Sequence, residues 1–402
     1  MTKIRTYQRT HPWINFELRL NSAPPAFWMA LGECHSKCEH LAGIPLAPGL
    51  DDYLHRVYLA KGIAATAAIE GNTLSEEQVL EHLQGKLILP PSQEYLKQEI
   101  DNILEGCNLI LREIRHKNHV PLTVARIKEL NKIVLDKLSL ADPDIIPGRI
   151  RQDARGVGNY RAAPHEDCEY LVERMCEWLN GPDFQPQPGM EVQYAIIRAI
   201  MAHLYIAWIH PFGDGNGRTA RLVEVQILLS SGVPSPAAQL LSNHYNSTRS
   251  EYYRQLDQAR KDVLPFLLYA VIGFRDGLRD QINAVRIQQW KLAWENHVHK
   301  VFDKLKGPGR SRQRHLVLDL SKQPKPVTDS ELKEVSPRVA IDYADLNIIT
   351  LRRDLKALIK LDLITWDEKG EGWRARKEAI LAFLPVRAAQ IASEKSAKDR
   401  PI

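Results

Sequence analysis

Between His210 and Arg221 the sequence runs His-Pro-Phe-Gly-Asp-Gly-Asn-Gly-Arg-Thr-Ala-Arg. Gly213, Gly215 and Gly217 let consecutive backbone N–H groups converge, and the helix expected after them adds the positive end of its dipole. Such a loop is an anion nest, and phosphate is its natural guest. Arg218 and Arg221 fall three apart in the first turn of that helix, on one side, where two guanidiniums can clamp a polyphosphate. A helix N-terminus disfavours cations, so their presence itself points to an anion between them. Asp214 offers one hard oxygen ligand, enough for Mg²⁺ when phosphates supply the others. His210 is the nearby group able to take a proton at neutral pH. Each piece alone has a plainer reading: Asp-Gly-Asn-Gly is a common turn, His-Pro can be a helix stop, and the register of an EF-hand is absent. Their fixed spacing is what argues chemistry.

A helix must deliver His210 to that loop. The clearest amphipathic stretch does so, with Val192, Ala195, Ile196, Ala199, Ala202, His203, Ile206 and Ile209 on one stripe, after a Pro-rich loop from Gly181 to Gly189. A second helix continues through Leu222, Val225, Leu228 and Leu229. Helical spacing recurs almost everywhere and strand-like alternation is nearly absent, so the expected fold class is mainly α. Upstream, Pro24-Pro25, Pro45 and Pro48 punctuate the first residues; from Asp51 a helix runs to Ile69, where Gly71-Asn72 supply a stop. Ser75-Glu76-Glu77-Gln78 has capping-box spacing, and further helices follow Ser92 and Thr123. Pro147-Gly148-Arg149-Ile150-Arg151 and Gly156-Val157-Gly158-Asn159-Tyr160 form the best hairpin candidate before the C-terminal region.

Composition bounds the rest. With 54 Lys+Arg against 49 Asp+Glu the net charge is +5 over 402 residues, and no block of five like charges exists, so global charge says little about partners. No apolar run approaches the roughly 18–20 residues of a membrane span, and no membrane partner is expected. Five scattered cysteines and no signal-like N-terminus suggest a reducing cytoplasm. Cys34 and Cys38 are four apart and could share a zinc site only with two further ligands that the sequence does not offer nearby.

The His210–Arg221 segment resembles the His-x-Phe-x-[Asp/Glu]-Gly-Asn-Gly-Arg-x-x-Arg signature of Fic-domain proteins at every specified position. The likeness extends through the preceding helix, the flap at 148–164, and Leu241-Ser242 with Tyr252-Tyr253-Arg254-Gln255-Leu256, covering residues 50–275. What it implies is a Fic helical core with a short β-hairpin flap, and AMP transfer from ATP to a Ser, Thr or Tyr hydroxyl of a protein, this chain included. By that resemblance His210 is the base and Asp214 holds Mg²⁺ or Mn²⁺. Asn216 with the Gly213, Gly215 and Gly217 amides holds phosphates, Arg218 and Arg221 meet the β- and γ-phosphates, and Phe212 anchors the loop. Kinase-like relatives carry Lys where this chain has Gly217, which favours nucleotide transfer. Tyr253 or Tyr252 is a candidate for the base pocket. Thr66-Ala67-Ala68-Ile69-Glu70-Gly71-Asn72 resembles the inhibitory [Ser/Thr]-x-x-x-Glu-[Gly/Asn] helix, here 52–71, which implies that Glu70, with Thr66 on the same face, pairs with Arg221 and restrains the reaction in cis. The same Glu supports AMP removal in some relatives. The flap, at Val157, Gly158, Asn159 and Tyr160, would dock the target by strand addition.

Gly307-Pro308-Gly309 is the strongest linker signal. The expected organisation is an N-terminal helical region 1–112, a core 113–275, a linker helix 276–309, a small domain 310–385 and a tail 386–402. The small domain reads as a helix at Arg314–Leu320, a second opened by Ser336-Pro337, a third capped by Thr350, and a two-stranded wing from Leu361 to Arg376. It resembles winged helix-turn-helix domains, which implies DNA contact by Arg352, Arg353 and Lys356. Its balance of 15 Lys+Arg against 12 Asp+Glu over 310–378 suits protein docking equally well. A homodimer is a further expectation, and a DNA-binding regulator whose core senses nucleotide is the alternative function.

Overall fold

A computed structural model describes residues 5–45, 49–117, 120–140, 142–157 and 160–380. The chain divides into two compact units, Met1–Ile282 and Asn283–Ile402. In the first, α1 (Thr6–Thr10), α2 (Pro25–Ala42), α3 (Leu50–Ile69), α4 (Glu76–Leu83), α5 (Glu94–Lys117) and α6 (Val124–Val134) precede a small antiparallel hairpin, β1 (Gly156–Val157) with β2 (Tyr160–Arg161). Then come α7 (His165–Leu179), α8 (Glu191–Ile209), α9 (Asn216–Ser230), α10 (Leu240–Ser247), α11 (Arg249–Gln258) and α12 (Leu264–Asp303). The fold is a helical core with a short hairpin.

Local signals explain where these elements start. Ser75 Oγ accepts the Gln78 N–H while the Gln78 side chain accepts the Ser75 N–H, a closed capping box, and Thr123 caps α6 through the Arg126 N–H. Gly71, at φ +106°, turns the chain after α3 as no β-carbon-bearing residue would readily do. The middle of the unit is α8 packed along α9. Instead of a single stripe, α8 is buried nearly all round, with Ile197, Ile200, Met201, Leu204, Tyr205 and Trp208 also inside. Among the described residues it is the one helix long and apolar enough to cross a membrane, at mean hydropathy 1.4 over a window of which 78% is buried. This corrects the expectation that no stretch reaches that length, and burial accounts for the apolarity. Cys34 and Cys38 are buried; burial pushes the Cys38 thiol up to about 12, and no cluster of three or more His, Cys, Asp or Glu suited to a metal occurs among the described residues.

The second unit takes the end of α12, α13 (Arg310–Leu320), α14 (Pro337–Tyr343), α15 (Ile348–Lys360) and the antiparallel pair β3 (Ile364–Asp367) and β4 (Gly372–Ala375). Trp294, Val298 and Phe302 of α12 bury beside Leu316, Leu332, Tyr343 and Leu358, so Gly307–Gly309 is a turn inside this unit rather than a link between units. Ser336 caps α14 as expected, but α15 begins before Thr350: Asn347 accepts the Ile349 N–H and starts the helix. The expected tail lies outside the described residues.

Candidate functional site

Helix α8 stops because His210 adopts a left-handed conformation, φ 50° and ψ 59°, and Pro211 has no N–H to continue the ladder. The His210 N–H still reaches the Ile206 carbonyl at 2.8 Å, so the imidazole stands rigidly at the helix end. Phe212 is buried and makes an antiparallel bridge to Ile150. Asn216 closes the loop: its Oδ1 accepts the Phe212 N–H and its Nδ2 donates to the Phe212 carbonyl, both at 2.9 Å. The amide keeps a second Nδ2–H beyond these two bonds, and Asn216 also borders the cavity described below. Gly215, at φ +74°, then supplies the left-handed N-cap of α9.

Two residues hold this loop from outside. Arg151, 4% exposed, donates from Nε to the His210 carbonyl at 2.7 Å and from its remaining nitrogens to the carbonyls of Asp153, Ala163 and Ile209. Asn131, fully buried, donates to the Asp214 carbonyl at 2.9 Å and accepts the Gly148 N–H at 2.9 Å. A fork of five N–H donors is needed to gather several carbonyls at one point, which is why an arginine stands at 151.

The two motif arginines meet two carboxylates. Arg221, 1% exposed, donates from Nη2 to Glu70 Oε1 at 2.5 Å and to the Thr66 carbonyl at 3.0 Å. Arg218, 5% exposed, reaches Glu99 Oε1 at 3.1 Å and Asp214 Oδ1 at 3.3 Å. Glu99 is steadied in turn by the Asn72 Nδ2 at 2.8 Å. Burial works to raise the Glu70 carboxyl, but the Arg221 guanidinium, then Arg218 and His210, outweigh it and hold it below the ordinary range. Burial pulls the Arg221 guanidinium down, and Glu70 more than restores it. Burial, reinforced by Arg151, pushes His210 down to about 4, so its ring is neutral and able to accept a proton at neutral pH.

A cavity of about 420 Å³ opens over these groups, bordered by Glu70, His210, Gly217, Arg221, Tyr252 and Tyr253, with Tyr160 and Arg260 at its rim. Of the three motif glycines, Gly217 faces Glu70, whereas a β-carbon on Gly213 would meet Ile145 at 2.8 Å and one on Gly215 would meet Leu135 at 3.0 Å. Gly213 and Gly215 therefore shape the loop rather than line the cavity. Arg218 and Arg221 each keep a buried Nε–H without a partner, which suits an acceptor-rich guest. Asp214, its side chain 43% exposed, is the carboxylate a divalent ion would find here, so phosphate oxygens and water would have to complete its shell.

Tyr253 is 45% exposed at the cavity mouth, with its hydroxyl 3.5 Å from the Ile69 carbonyl, while Tyr252 is buried against His203. Tyr160 turns inward: its hydroxyl donates to the Trp208 carbonyl at 2.7 Å and the Arg260 guanidinium lies over its ring. The Val157 side chain, Gly158 and Asn159 lie outside the described residues. On β2, the Arg161 carbonyl is met by His11 Nε2 at 2.9 Å, so part of that edge is covered by the N-terminal segment. Arg352, Arg353 and Lys356 are exposed on α15 of the second unit. Sequence reasoning missed Glu99, Asn131 and the role of Arg151; only Arg151 carried a signal, as the second arginine of Pro-Gly-Arg-Ile-Arg.

Residues 121–228 match the Fic/DOC family. The chain is 31% identical over 223 residues to the protein adenylyltransferase fic-1 of Caenorhabditis briggsae, across 55% of this chain and 41% of that protein. To the protein adenylyltransferase Fic of Nematostella vectensis it is 29% identical, across 50% and 44%. The chain thus spans about two fifths of the length of the curated relatives it matches. Among solved structures, a Fic family protein from Desulfovibrio desulfuricans G20 superposes with TM-score 0.53 at 19% identity, covering 87% of this chain and 93% of that one, a likeness of fold. A fic-1 fragment from C. elegans superposes with TM-score 0.50 at 27% identity, covering 65% and 73%.

Proposed function

From a chain that carries a Fic/DOC domain across residues 121–228, we propose a protein adenylyltransferase that moves AMP from ATP to a Ser, Thr or Tyr hydroxyl of a protein target and is held in check by Glu70. The observation that carries the reading is the meeting of Arg221, Glu70 and a neutral His210 around one cavity at the N-terminus of α9. The acceptor hydroxyl gives its proton to His210 as its oxygen attacks the α-phosphorus; the bond from that phosphorus to the bridging oxygen breaks, and pyrophosphate leaves. Little covalent help is needed, because positioning and charge stabilisation carry such a step. The free N–H groups of the first turn of α9 and the orphan Nε–H groups of Arg218 and Arg221 are the donors for the phosphates. Polyphosphate beside His210 raises its proton affinity as an anion does for any imidazole, moving it toward the range of a working base. A Mg²⁺ or Mn²⁺ ion on Asp214 would neutralise developing charge.

In the resting state the anion at this helix end is the carboxylate of Glu70, so productive ATP must displace it. Target docking along the flap is main-chain pairing, leaving Tyr160 as an inward strut. The chemistry uses an ATP-rich compartment, and we assign the protein to the cytoplasm. The test is incubation with α-labelled ATP in lysate: label should appear on protein with the Glu70→Gly chain and be lost, by roughly 10²–10⁴-fold or more, when His210 is also changed to Ala. No transferred label in either form would end this reading.

A second reading concerns the second unit, read as a winged helix that contacts DNA, and one observation favours it. Arg310, Arg312, Arg338, Arg374 and Arg376 each pair with a carboxylate, whereas the exposed Arg352, Arg353 and Lys356 have no ion-pair partner among the described residues. Unneutralised cations on one helix suit a polyanion. Binding of a labelled duplex that does not weaken when Arg352 and Arg353 are changed to Ala would refute it.

A further inference from the structure

At the ends of α8 and α9 remote from His210 lies a second cavity, about 540 Å³, bordered by Asn180, Phe184, Tyr194, Arg198, Ser230 and Ser231. Arg198 stands twelve residues before His210 on α8, about 18 Å away along the axis at 1.5 Å per residue. Its guanidinium is unusual in its company. Burial pulls it below its ordinary value, and no carboxylate lies within ion-pair distance among the described residues. Its one hydrogen bond runs from Nη2 to Asn180 Oδ1 at 2.5 Å. The Nε–H is buried without a partner, and so is the Ser230 hydroxyl.

The neighbours cannot supply the missing charge. Asn180 is fixed by its own donation to the Leu122 carbonyl at 2.8 Å and offers a neutral acceptor only. Glu191, at the rim, turns back to the start of α8 and accepts the Gly189 N–H at 3.1 Å. Buried donors in folded proteins are satisfied, because leaving one bare costs about 1–3 kcal/mol. The C-terminus of α9 gives Arg198 some partial negative charge, worth about 0.3–1 kcal/mol, too little to replace a counter-ion.

We propose that this cavity is a second anion site, independent of the nucleotide cavity. It takes a small organic anion, with the carboxylate or phosphate on Arg198 and Ser230 and the body against Phe184 and Tyr194. A bare phosphate would leave most of the space empty, whereas volumes of roughly 300–1,000 Å³ hold small organic ligands.

Citrate and inorganic phosphate are the probes, titrated calorimetrically into the full chain at constant ionic strength, with chloride as the reference salt. At least one probe should bind the wild-type protein and bind Arg221→Ala equally, which separates this site from the motif. Arg198→Met should weaken that binding by about tenfold or more, the value of one charge-assisted hydrogen bond, and Ser230→Ala should weaken it less. Arg198→Met should also unfold no earlier than wild type without anion, since it removes a half-buried charge that has no ion-pair partner among the described residues. If Arg198→Met fails to fold, Ser230→Ala carries the test. The proposal is overturned if neither probe binds, if binding disappears in Arg221→Ala, or if binding survives unchanged in both cavity variants.

Discussion

Replacing Glu70 by glycine removes a carboxylate whose Oε1 sits 2.5 Å from Arg221 Nη2, with the arginine side chain 1% and the Glu70 side chain 32% exposed. A hydrogen bond between charged groups contributes roughly 1.5–3 kcal/mol. If phosphate must displace that carboxylate, ATP affinity should rise by about 10- to 150-fold in Glu70→Gly, since 1.4 kcal/mol is a factor of ten. The same change strands a buried guanidinium, so the variant should be less stable than wild type without nucleotide, by up to about 3–5 kcal/mol. ATP should then return more stability to the variant than to the wild type, because it restores the counter-charge. Calorimetric titration with a non-hydrolysable ATP analogue measures the first effect, and thermal unfolding with and without that analogue measures the second. Equal affinity in the two proteins, together with equal nucleotide-induced shifts in melting temperature, would refute the competition between Glu70 and phosphate for Arg221.

Glu99 holds Arg218 as Glu70 holds Arg221, and Asn72 ties it to the end of the same helix; Glu99→Gln on the Glu70→Gly background should tighten ATP binding a further several-fold, about 1 kcal/mol. A double-mutant cycle should find the two carboxylates coupled, whereas strict additivity would mean that they act separately. The pH dependence follows from His210. Its folded value, about 4, is below the ordinary 6.5, so between those values the unfolded chain takes up a proton that the folded chain refuses. Stability from this group is full above pH 6.5 and falls as pH drops toward 4, by roughly 3 kcal/mol in all. Denaturant titrations should show a flatter profile across that window in His210→Gln; an unchanged slope would place the acid sensitivity elsewhere. Glu70, also depressed, adds its loss only below the ordinary carboxylate range.

What sequence could reach was set by the distance over which a signal acts. The helix–loop–helix of His210–Arg221 and the Ser75 capping box are local, and each forms as the spacing predicts. Thr350 carries a capping side chain, but α15 starts earlier because the Asn347 side chain accepts the Ile349 N–H. The division within α12 carried no punctuation, since a helix can pass from one core to another without Gly or Pro, while Gly307-Pro308-Gly309 marked only a turn. The two bonds by which Asn216 closes the loop on Phe212 carry no sequence signal, because they exist only once the loop has folded. Glu99 lies far from Arg218 in sequence and differs in no visible way from the other carboxylates of α5.

At Gly217 a β-carbon would lie 2.2 Å from Glu70 Oε1. The contact with Arg221 therefore has two halves, a carboxylate at 70 just past α3 and an absence of side chain at 217 in the first turn of α9. A side chain at 217 would make the Glu70 carboxylate shift from its place against Arg221. Residue 217 therefore sets, from the other side of the contact, how closely Glu70 can approach Arg221.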